Sequence, residues 1–385
     1  MSIKVGLIGI SGYSGVHFSN LQPLIEKGIV ELVSCVVINP EQVPDQLETL
    51  KNMGVKIYPS TGAMFEEQSG KLDLVCIPTA IAWHERMTVE ALKHGANVLV
   101  EKPVTSSNES VARMIKAEQE ANGKFVAVGF QHTYAREIQF IKQYLVSGHL
   151  GKVKHVVCTG IWPRNDSYYA RNNWAGKLLT ADGVPIWDSP VNNAFAHYLN
   201  IELFLSGEEF DKSAHAVSVE GNLYRARENI ETFDTCTLRF MTSSGVRIET
   251  MLTHASDEAA SVVIRVECEN GEVIWDTAGE GSWQIKSAEG KVLYSGIIEH
   301  PHPDMFMDVM NKVRGKQVFC CPLSVAAEHA NCVDMLMNQL TPIVVKETVS
   351  RKAEDGQYVM EGINKVFAEC GKSGKLPSEI GVNWK

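Results

Sequence analysis

The stretch IKVGLIGISGYSG, residues 3–15, decides the fold of this chain. Its apolar half, residues 3–8, has the length and composition of a buried parallel strand, and glycines follow it at positions 9, 12 and 15. A glycine-rich turn between a strand and a helix lets backbone N–H groups and a helix N-terminus approach a pyrophosphate. The stretch therefore predicts the first strand, turn and helix of a dinucleotide-binding domain. The turn residues predicted to lie at the nucleotide are Gly9, Ile10, Ser11, Gly12, Tyr13 and Ser14.

Strands and helices alternate through the first third of the chain. The predicted strands span residues 3–8, 31–38, 55–58, 72–77, 96–100 and 125–129, and the predicted helices span residues 14–27, 82–94 and 106–121. Ser106 and Glu109 have the spacing of a capping box at the start of the third of these helices. Such alternation is typical of right-handed βαβ crossovers, so we predict an α/β Rossmann domain with a parallel, doubly wound sheet over residues 1–130.

The pattern changes in the second half of the chain. The predicted strands there span residues 235–240, 246–251, 262–268 and 272–275. Asn270-Gly271 indicates a hairpin turn between the last two, and helices are predicted again at residues 323–340 and 351–370. We therefore expect residues 131–350 to form an α+β domain with a large, mostly antiparallel sheet. We expect residues 351–385 to form a C-terminal helix that packs back on the Rossmann domain.

Composition and charge exclude several classes of protein. The chain has 385 residues, and its net charge of -10 argues against binding to nucleic acid or to an anionic membrane surface. No apolar run is long enough to cross a bilayer, and we expect no signal peptide because a strand already occupies residues 3–8. The nine cysteines form no CxxC pair, which is typical of reduced thiols in the cytoplasm, and we predict no metal site.

A second motif, Glu101-Lys102-Pro103, closes the apolar run at residues 96–100. In a doubly wound sheet the carboxyl ends of the strands face the ligand crevice. Lys102 is therefore predicted to lie beside the nicotinamide and the reacting carbon of the substrate, where a cation stabilises a developing alkoxide or transfers a proton. The alternative is a solvated lysine in a surface loop.

The glycine turn and the Glu-Lys-Pro strand end together resemble the glucose-fructose oxidoreductase, inositol dehydrogenase and rhizopine-catabolism family, Gfo/Idh/MocA. Residues 75–79 with His84 are similar to the family's I-x-T-P-N-x-x-H segment, although Ala80 and Ile81 depart from it, and residues 128–132 resemble V-G-F-N-R. The resemblance implies an NAD(P)-dependent oxidoreductase of carbohydrates or polyols that assembles as a homodimer or homotetramer. It also implies cofactor contacts from Pro78, Thr79, His84, Glu101, Lys102 and Gln131.

The end of the second strand bears on the choice between NAD and NADP. An acidic residue there binds the ribose 2′-hydroxyl in dinucleotide-binding domains, but this chain has no acid near Val37 and no basic residue for a 2′-phosphate. Asn39 either hydrogen-bonds the ribose or serves as the turn residue before Pro40. On this pattern we favour NAD over NADP.

Ser189-Pro190 has the pattern of a helix start, and the helix is predicted to end at Gly207. Asn193 and His197 are four residues apart and so would share one face of this helix. In the resembled family the helix carries D-x-x-x-H, whose histidine acts on the substrate hydroxyl; His197 matches it and Asn193 replaces the aspartate. His197 is thus predicted to accept the hydroxyl proton, with a core histidine as the alternative. Asp188 either supplies the missing carboxylate or stabilises the helix N-terminus.

The stretch at residues 162–177 is dense in aromatic and basic side chains. The residues predicted to contact the substrate are Trp162, Arg164, Tyr169, Arg171 and Trp174, together with Lys102, Asn193 and His197. Aromatic planes bind the apolar faces of sugar rings, and guanidinium groups suit a carboxylate or phosphate on the substrate. The alternative is a loop whose aromatic residues only anchor it to the core.

The function that these patterns favour is reversible hydride transfer between a nicotinamide cofactor and a secondary alcohol of a sugar or polyol. His197 is the predicted base, Lys102 the electrostatic partner, and Asn193 or Asp188 the orienting group. A second interpretation is a lyase or glycosidase that uses tightly held NAD to form a transient keto-sugar. A third, motivated by Asn193, is a regulatory protein that senses NAD or a sugar without catalysis.

Overall fold

The computed structural model describes residues 1–384, which form two compact units. The N-terminal unit comprises Met1–Ala135 and His300–Ala327, and the C-terminal unit comprises Arg136–Glu299 and the chain from Glu328 onward. The return of the chain to the N-terminal unit after Glu299 differs from the predicted division, in which residues 131–350 form one continuous domain.

Helices and strands alternate in the N-terminal unit, and strands dominate the C-terminal unit. The helices, in chain order, are α1 (Tyr13–Glu26), α2 (Pro44–Asn52), α3 (Thr61–Gln68), α4 (His84–Lys93), α5 (Asn108–Gln119), α6 (Arg136–Val146), α7 (Asp166–Ala170), α8 (Ala196–Ser206), α9 (His302–Val313), α10 (Leu323–Gln339) and α11 (Ile363–Ser373). The strands are β1 (Ile3–Ile8), β2 (Val30–Val36), β3 (Lys56–Tyr58), β4 (Leu74–Ile77), β5 (Asn97–Val100), β6 (Val126–Val128), β7 (Val153–Ile161), β8 (Ala216–Arg225), β9 (Thr235–Thr242), β10 (Arg247–Thr253), β11 (Ala260–Cys268), β12 (Gly271–Asp276), β13 (Ser282–Ser287), β14 (Val292–Ile297), β15 (Ile343–Val344), β16 (Ser350–Lys352) and β17 (Tyr358–Met360). Short 3₁₀ turns occupy Pro40–Gln42, Ile81–Trp83, Gln131–Tyr134 and Pro377–Ile380.

The sheet of the N-terminal unit is parallel, in the order β3-β2-β1-β4-β5-β6. Every residue of β4, β5 and β6 is buried, as in a sheet covered on both faces. This confirms the doubly wound sheet predicted from the βαβ alternation. The carboxyl ends of β1, β4, β5 and β6 meet at one edge of the sheet, which is where Gly9, Pro78, Glu101 and Gly129 follow them.

Helix α5 begins at Asn108, one residue later than a helix capped by Ser106 would begin. Its N-cap is Ser107, whose hydroxyl accepts a hydrogen bond from Ser110 N at 3.4 Å. The predicted box of Ser106 and Glu109 is therefore wrong by one residue, because Ser106 is buried before the helix starts.

The segment after Glu299 completes the N-terminal unit. Phe306 of α9 packs against His17 of α1, with ring centroids 5.0 Å apart, and Val128 N donates to Cys321 O at 2.9 Å. These contacts join residues far apart in the chain, so no local sequence pattern predicts them.

The sheet of the C-terminal unit has the order β14-β13-β12-β11-β7-β10-β9-β8-β15. Its pairs are antiparallel except β7 with β10 and β8 with β15, which confirms the predicted large, mostly antiparallel sheet. The predicted hairpin joins β11 to β12, but its turn residues are Glu269 and Asn270. Gly271 is the first residue of β12, where a Cβ would lie 2.1 Å from Lys286 O of the neighbouring strand. This glycine thus serves close strand packing rather than the turn.

Helix α8 is buried along its whole length, including its polar residues His197, Asn200, Glu202 and Ser206. Its C-terminal end is capped by Lys142, whose Nζ donates to Phe204 O, Gly207 O and Lys212 O at 2.5, 2.6 and 3.0 Å. Burial lowers the pKa of Lys142 to about 7. The cap fixes the end of the helix whose first turn contains His197.

The end of the chain folds differently from its prediction. Residues 350–352 and 358–360 form a hairpin around Asp355-Gly356, so the helix predicted over residues 351–370 begins only at Ile363. Ile363 and Phe367 of α11 share a buried cluster with residues of β7 and β10. The apolar face of α11 therefore covers the sheet of its own unit, and the expected packing on the Rossmann domain is wrong.

Within residues 1–384, no helix is both long enough and apolar enough to cross a lipid bilayer. Each of the nine cysteines is a free thiol, and all but Cys268 are buried. Burial raises the pKa of the Cys268 thiol to about 12, and the charges of Glu267 and Glu269 act in the same direction. Such thiols stay protonated at neutral pH, which disfavours nucleophilic chemistry.

Candidate active site

The glycine turn leaves open space where a pyrophosphate would lie. Gly12 has a φ of 57°, and a Cβ on it would meet no atom within 4 Å. Gly12 is the N-cap of α1 and has no side chain to satisfy the first N–H groups of the helix. Ser11 is exposed beside it, whereas Ile10 is buried. Room beside the backbone and a helix N-terminus without a side-chain cap are what a dinucleotide phosphate requires, so the turn fits a nicotinamide dinucleotide.

Two residues predicted at the nucleotide also have contacts inside the unit. The buried Ser14 Oγ lies 3.2 Å from both Ile8 O and Pro78 O, and so ties the end of β1 to the end of β4. Tyr13 OH lies 3.2 Å from His302 Nε2 of α9. The Ser14 hydroxyl therefore supports the turn from within, and the backbone of the turn is what faces a phosphate.

At the end of β2, Asn39 can both form the turn before Pro40 and hydrogen-bond a ribose. Its backbone O accepts a hydrogen bond from Gln42 N at 3.1 Å, which makes the turn after Pro40, while its exposed side chain caps no helix. Ile38 beside it is 74% exposed. An exposed apolar side chain and an amide at this strand end suit the adenosine half of a dinucleotide.

His84, predicted to contact the cofactor, joins two loops of the protein instead. Its Nδ1 lies 2.9 Å from Pro103 O and its Nε2 lies 3.0 Å from Thr79 O. The ring is buried, and burial lowers the pKa of His84. His84 therefore holds the loop after β4 against the loop that follows Lys102.

Glu101 forms a buried ion pair that the sequence analysis missed. His17 Nε2 lies 2.8 Å from Glu101 Oε1, and Lys102 N donates to Glu101 Oε2 at 3.1 Å. Burial alone would raise the pKa of Glu101, but the hydrogen bond and charge of His17, with the charge of Lys102, hold it below its usual range. A Cβ on Gly129 would lie 2.6 Å from Glu101 Oε1, so this glycine makes room for the carboxylate. The pair fixes the strand end from which Lys102 extends.

We predict that His17→Leu lowers the free energy of unfolding by about 3–5 kcal/mol, because it leaves the Glu101 carboxylate buried without its side-chain partner. His17→Gln, which retains a donor in the same region, should lose less. Urea denaturation of the three proteins measures both effects. Equal stability of the leucine variant and the wild type would contradict a structural role for the pair.

Gln131 and Lys102 occupy neighbouring strand ends. The Lys102–Pro103 peptide bond is cis. The Gln131 Oε1 atom is buried and accepts no hydrogen bond from residues 1–384. Because a buried amide oxygen requires a donor, this atom suits the carboxamide NH₂ of a nicotinamide. The end of β6 therefore fits the same cofactor as the turn after β1.

In the C-terminal unit, His197 lies in the first turn of α8, but the predicted helix start is wrong. Residues 189–195 form turns, and α8 begins at Ala196. The reason is a pair of asparagine side chains that bond backwards along the chain: Asn192 Nδ2 donates to Ile186 O at 2.9 Å, and Asn193 Nδ2 donates to Asp188 Oδ1 at 2.7 Å. Asn193 therefore precedes the helix and does not share a helical face with His197.

Asp188 organises the turn before α8. Besides its bond to Asn193, its Oδ2 accepts a hydrogen bond from Gly176 N at 2.6 Å, and its backbone O accepts one from Thr232 at 2.5 Å. Both the side chain and the backbone are buried. Asp188 thus joins the Asn193 turn to the end of the aromatic stretch, and it is not a simple helix cap.

The aromatic stretch continues into the turn before α8. Trp162 stacks on Phe195 with ring centroids 4.4 Å apart, and Phe195 stacks on His254 at 5.2 Å. Tyr168 lies 5.8 Å from the His254 ring. Because Phe195 is two residues before His197, these contacts bring Trp162 and Tyr168 to the helix that carries the predicted base.

The arginines predicted to contact the substrate both pack on Tyr168. The guanidinium carbons of Arg164 and Arg171 lie 4.7 and 3.7 Å from the ring centroid, and Arg171 also lies 5.1 Å from the ring of Trp174. Tyr169 packs instead on Arg227, at 4.5 Å. Trp162 thus packs on Phe195, Arg164 and Arg171 pack on Tyr168, and Trp174 packs on Arg171. Tyr169, the fifth predicted residue, packs on the buried Arg227.

Arg227 is a second residue that the sequence analysis missed. It is buried, pairs with Asp166, and donates to Gly356 O at 2.7 Å. Its ring contacts are with Tyr169 and Tyr358. Arg227 therefore attaches α7 to the C-terminal hairpin, a link that no local pattern indicates.

Comparisons with known proteins agree with this architecture. Residues 3–130 match the model of the Gfo/Idh/MocA oxidoreductase family, NAD-binding Rossmann fold. An inositol 2-dehydrogenase from Burkholderia cenocepacia is 24% identical over 249 residues, 65% of this chain and 66% of the relative. The match thus covers slightly less than two thirds of that relative.

Solved structures share the fold over most of their length. The WlbA dehydrogenase from Bordetella pertussis, in complex with NADH and UDP-GlcNAcA, has a TM-score of 0.70 at 22% identity, covering 88% of this chain and 96% of its own. KijD10 from Actinomadura kijaniata, a 3-ketoreductase in complex with NADP and TDP-benzene, has a TM-score of 0.67 at 13% identity, covering 90% and 100%. The match of residues 3–130, together with the parallel sheet, the open glycine turn and the Glu-Lys-Pro strand end, identifies this part of the chain as an NAD-binding Rossmann domain of the Gfo/Idh/MocA oxidoreductase family.

Proposed function

We propose that the protein transfers a hydride between a nicotinamide dinucleotide and a secondary alcohol of a carbohydrate or polyol. The observation that carries this proposal is the edge of the N-terminal sheet, where the open turn at Gly12, the cation of Lys102 and the buried Gln131 oxygen follow parallel strands. The relatives' names support it: one is an inositol dehydrogenase, and another is a dehydrogenase solved with NADH and UDP-GlcNAcA.

Each residue then has a defined task. A bound nicotinamide supplies or accepts the hydride. The backbone from Gly9 to Gly12 holds the pyrophosphate, and Gln131 orients the carboxamide. Lys102 stabilises the negative charge that develops on the substrate oxygen. His197 accepts the hydroxyl proton during oxidation and returns it during reduction.

The Asp188–Asn193 pair orients the substrate beside His197 in this proposal. Asn193 cannot carry the charge of the aspartate that the family has at this position. The Asp188 carboxylate, 2.7 Å from Asn193 Nδ2, supplies a charge next to it and fixes the orientation of the amide. In this proposal the amide, held in that orientation, hydrogen-bonds a sugar hydroxyl.

We propose NAD as the preferred cofactor and test the ribose contact at Asn39. Asn39→Asp should shift the ratio of NAD to NADP affinity about tenfold towards NAD, because a carboxylate binds the 2′-hydroxyl and repels a 2′-phosphate. Gln42→Glu adds the same charge three positions further along and should leave the ratio unchanged. Titration of cofactor fluorescence measures both, and an unchanged ratio in Asn39→Asp would place the ribose elsewhere.

The function itself is tested by a screen of sugars, polyols and their keto derivatives with NAD(H) and NADP(H), following the absorbance of the reduced nicotinamide. Net formation or consumption of the reduced cofactor with a sugar or polyol supports the proposal. Cofactor that co-purifies and turns over without net reduction would favour the transient keto-sugar chemistry. Binding of cofactor without any turnover would favour the regulatory alternative.

We further propose that the protein forms a homo-oligomer through the C-terminal unit. Its edge strand β14 exposes Val292, Leu293, Tyr294 and Ile297 by 38–64%. Exposed apolar side chains in a row are typical of an interface. Sedimentation at micromolar concentration measures the assembly state, and a monomer would count against the proposal.

A further inference from the structure

Two arginines beside the proposed substrate site have no carboxylate partner within residues 1–384. Arg171 forms one hydrogen bond, from Nη1 to the backbone O of Tyr168 at 2.6 Å, and Arg164 Nε is buried without an acceptor. Some other arginines of the same unit pair with a carboxylate, Arg227 with Asp166 and Arg351 with Asp257, whereas Arg225 donates to the backbone O of Ile230. Arg171 is exposed and Arg164 is partly buried, so the Arg164 Nε is the group of this pair that lacks both water and an acceptor.

The acidic residues close to this stretch are already engaged. Asp166 is shared by Arg227 and Lys352, and Glu231 pairs with Lys177. The Asp188 carboxylate accepts hydrogen bonds from Gly176 N and Asn193 Nδ2. Burial and then the charge of Asp188 raise the pKa of the Tyr168 hydroxyl, whereas Arg171 and Arg164 lower it, so the two guanidinium groups share this region with one buried carboxylate.

The two guanidinium groups are held in place by aromatic packing. Because both lie on the ring of Tyr168, at 4.7 and 3.7 Å from its centroid, their central carbons are within about 9 Å of each other. Arg164 also lies 5.9 Å from the ring of Trp162, and Arg171 lies 5.1 Å from that of Trp174. Stacking covers the faces of a guanidinium and leaves its N–H edge for a planar or tetrahedral oxyanion.

The pKa of the neighbouring His254 depends on the same positive charges. Burial, with a smaller effect of the charges of Arg164, Arg171 and Arg227, lowers the pKa of His254 to about 3, against the opposing effect of its hydrogen bond with Trp162 O. A neutral imidazole leaves the guanidinium groups as the cations of this cluster. His254 contacts Phe195, which precedes His197 by two residues in the chain.

We infer that Arg164 and Arg171 bind an oxyanion, a carboxylate or a phosphate, that the sugar substrate carries. The inference rests on the proposed function and narrows its substrate class to anionic sugars. The anion replaces the carboxylate partner that the protein does not provide. Trp162 and Trp174 flank it with ring surfaces that pack against the sugar.

The test is calorimetric binding of three sugars to the protein saturated with NADH: glucose as the neutral sugar, glucuronate as the carboxylate and glucose 1-phosphate as the phosphate. At least one anionic sugar should bind ten times more tightly than glucose, with an affinity that falls as salt rises. Whichever anion binds more tightly identifies the source of the charge.

Arg164→Gln and Arg171→Gln should each weaken binding of that anion about tenfold to a hundredfold, the effect of losing a charge-assisted hydrogen bond, and should weaken glucose binding much less than that. Arg113→Gln is the matched control. Arg113 is an exposed arginine of α5 that pairs with Glu85, and its loss changes the net charge equally.

Equal binding of all three sugars, binding of neither anion, or glutamine variants that behave like Arg113→Gln would each overturn the inference. The proposed function is judged separately, by NADH binding and by turnover of any sugar or polyol in the wild type. A wild type that binds NADH and oxidises neutral sugars, with no effect of either glutamine variant, keeps the function and rejects the anionic substrate.

Discussion

Lys102→Ala and His197→Ala are each expected to lower turnover about 10²–10⁴-fold while cofactor affinity stays nearly constant. Lys102 follows the buried Glu101–His17 pair at a strand end, and His197 lies in the first turn of the buried helix α8. In our proposal both groups act on the substrate oxygen and not on the nucleotide. Loss of either therefore affects the rate of the chemical step more than the binding of NAD(H).

Steady-state kinetics and NADH titration of the same protein samples separate the two effects. If Lys102 and His197 act on one oxygen as a unit, the double variant should be little slower than either single variant. Lys116→Ala removes an exposed lysine of α5 that pairs with Glu120 and serves as the control. A folded His197→Ala protein with near wild-type turnover would remove the proton-transfer role and make the regulatory alternative the better one.

Gly12→Val is expected to lower NAD(H) affinity roughly a hundredfold or more, to the point where binding is no longer detected. Gly12 has φ 57° and ψ -130°, a conformation that a β-branched residue cannot adopt without strain. Its added side chain would also fill the open space in which the pyrophosphate is proposed to lie. Isothermal calorimetry with NADH measures the loss.

Replacing a glycine of positive φ can also lower cofactor affinity by destabilising the protein, so the experiment needs a control variant with similar backbone strain. Gly54 has φ 75° and open space around it, and it follows α2 at a distance in sequence from the glycine turn. Gly54→Val imposes comparable backbone strain without blocking the proposed phosphate site. If Gly12→Val binds NADH as well as Gly54→Val does, the turn is structural only.

The parts of the fold that the sequence predicts correctly depend on local patterns. The strand at residues 3–8 and the one before Glu101 are short apolar runs bounded by glycine or proline, and their alternation with helices implies a parallel sheet. The hairpin of β11 and β12 is likewise indicated by two neighbouring residues, Asn270 and Gly271. In each case a run of neighbouring residues is enough to indicate the type of element.

The errors arise where distant or side-chain contacts outweigh local preference. Ser189-Pro190 has the composition of a helix start, but Asn192 and Asn193 bond backwards and delay the helix to Ala196. The Asp355-Gly356 turn splits a predicted helix, and Gly356 has the φ of 81° that such a turn uses. That Asp-Gly pair was a readable hairpin signal.

The sequence indicates which residues belong to the candidate site, but it does not indicate which residues contact them. Lys102 and His197 were identified by motif, and Arg164 and Arg171 by composition. The partners that hold them were not: His17 is 84 residues from Glu101, and Arg227 is 61 residues from Asp166. Pairing over such distances depends on the assembled fold, which a single sequence does not encode in any local spacing.

The return of residues 300–327 to the N-terminal unit has a consequence for how the protein is made. A ribosome releases β1 to β6 early, but the partners of His17 and Val128 on that segment, Phe306 and Cys321, emerge only after strands β7 to β14 of the C-terminal unit have been translated. The N-terminal unit therefore begins to fold first, but it is completed only after most of the C-terminal unit has been synthesised. For the same reason a gene fragment ending at residue 135 encodes an unfinished domain, and any exchange of cofactor domains between relatives must move both segments together.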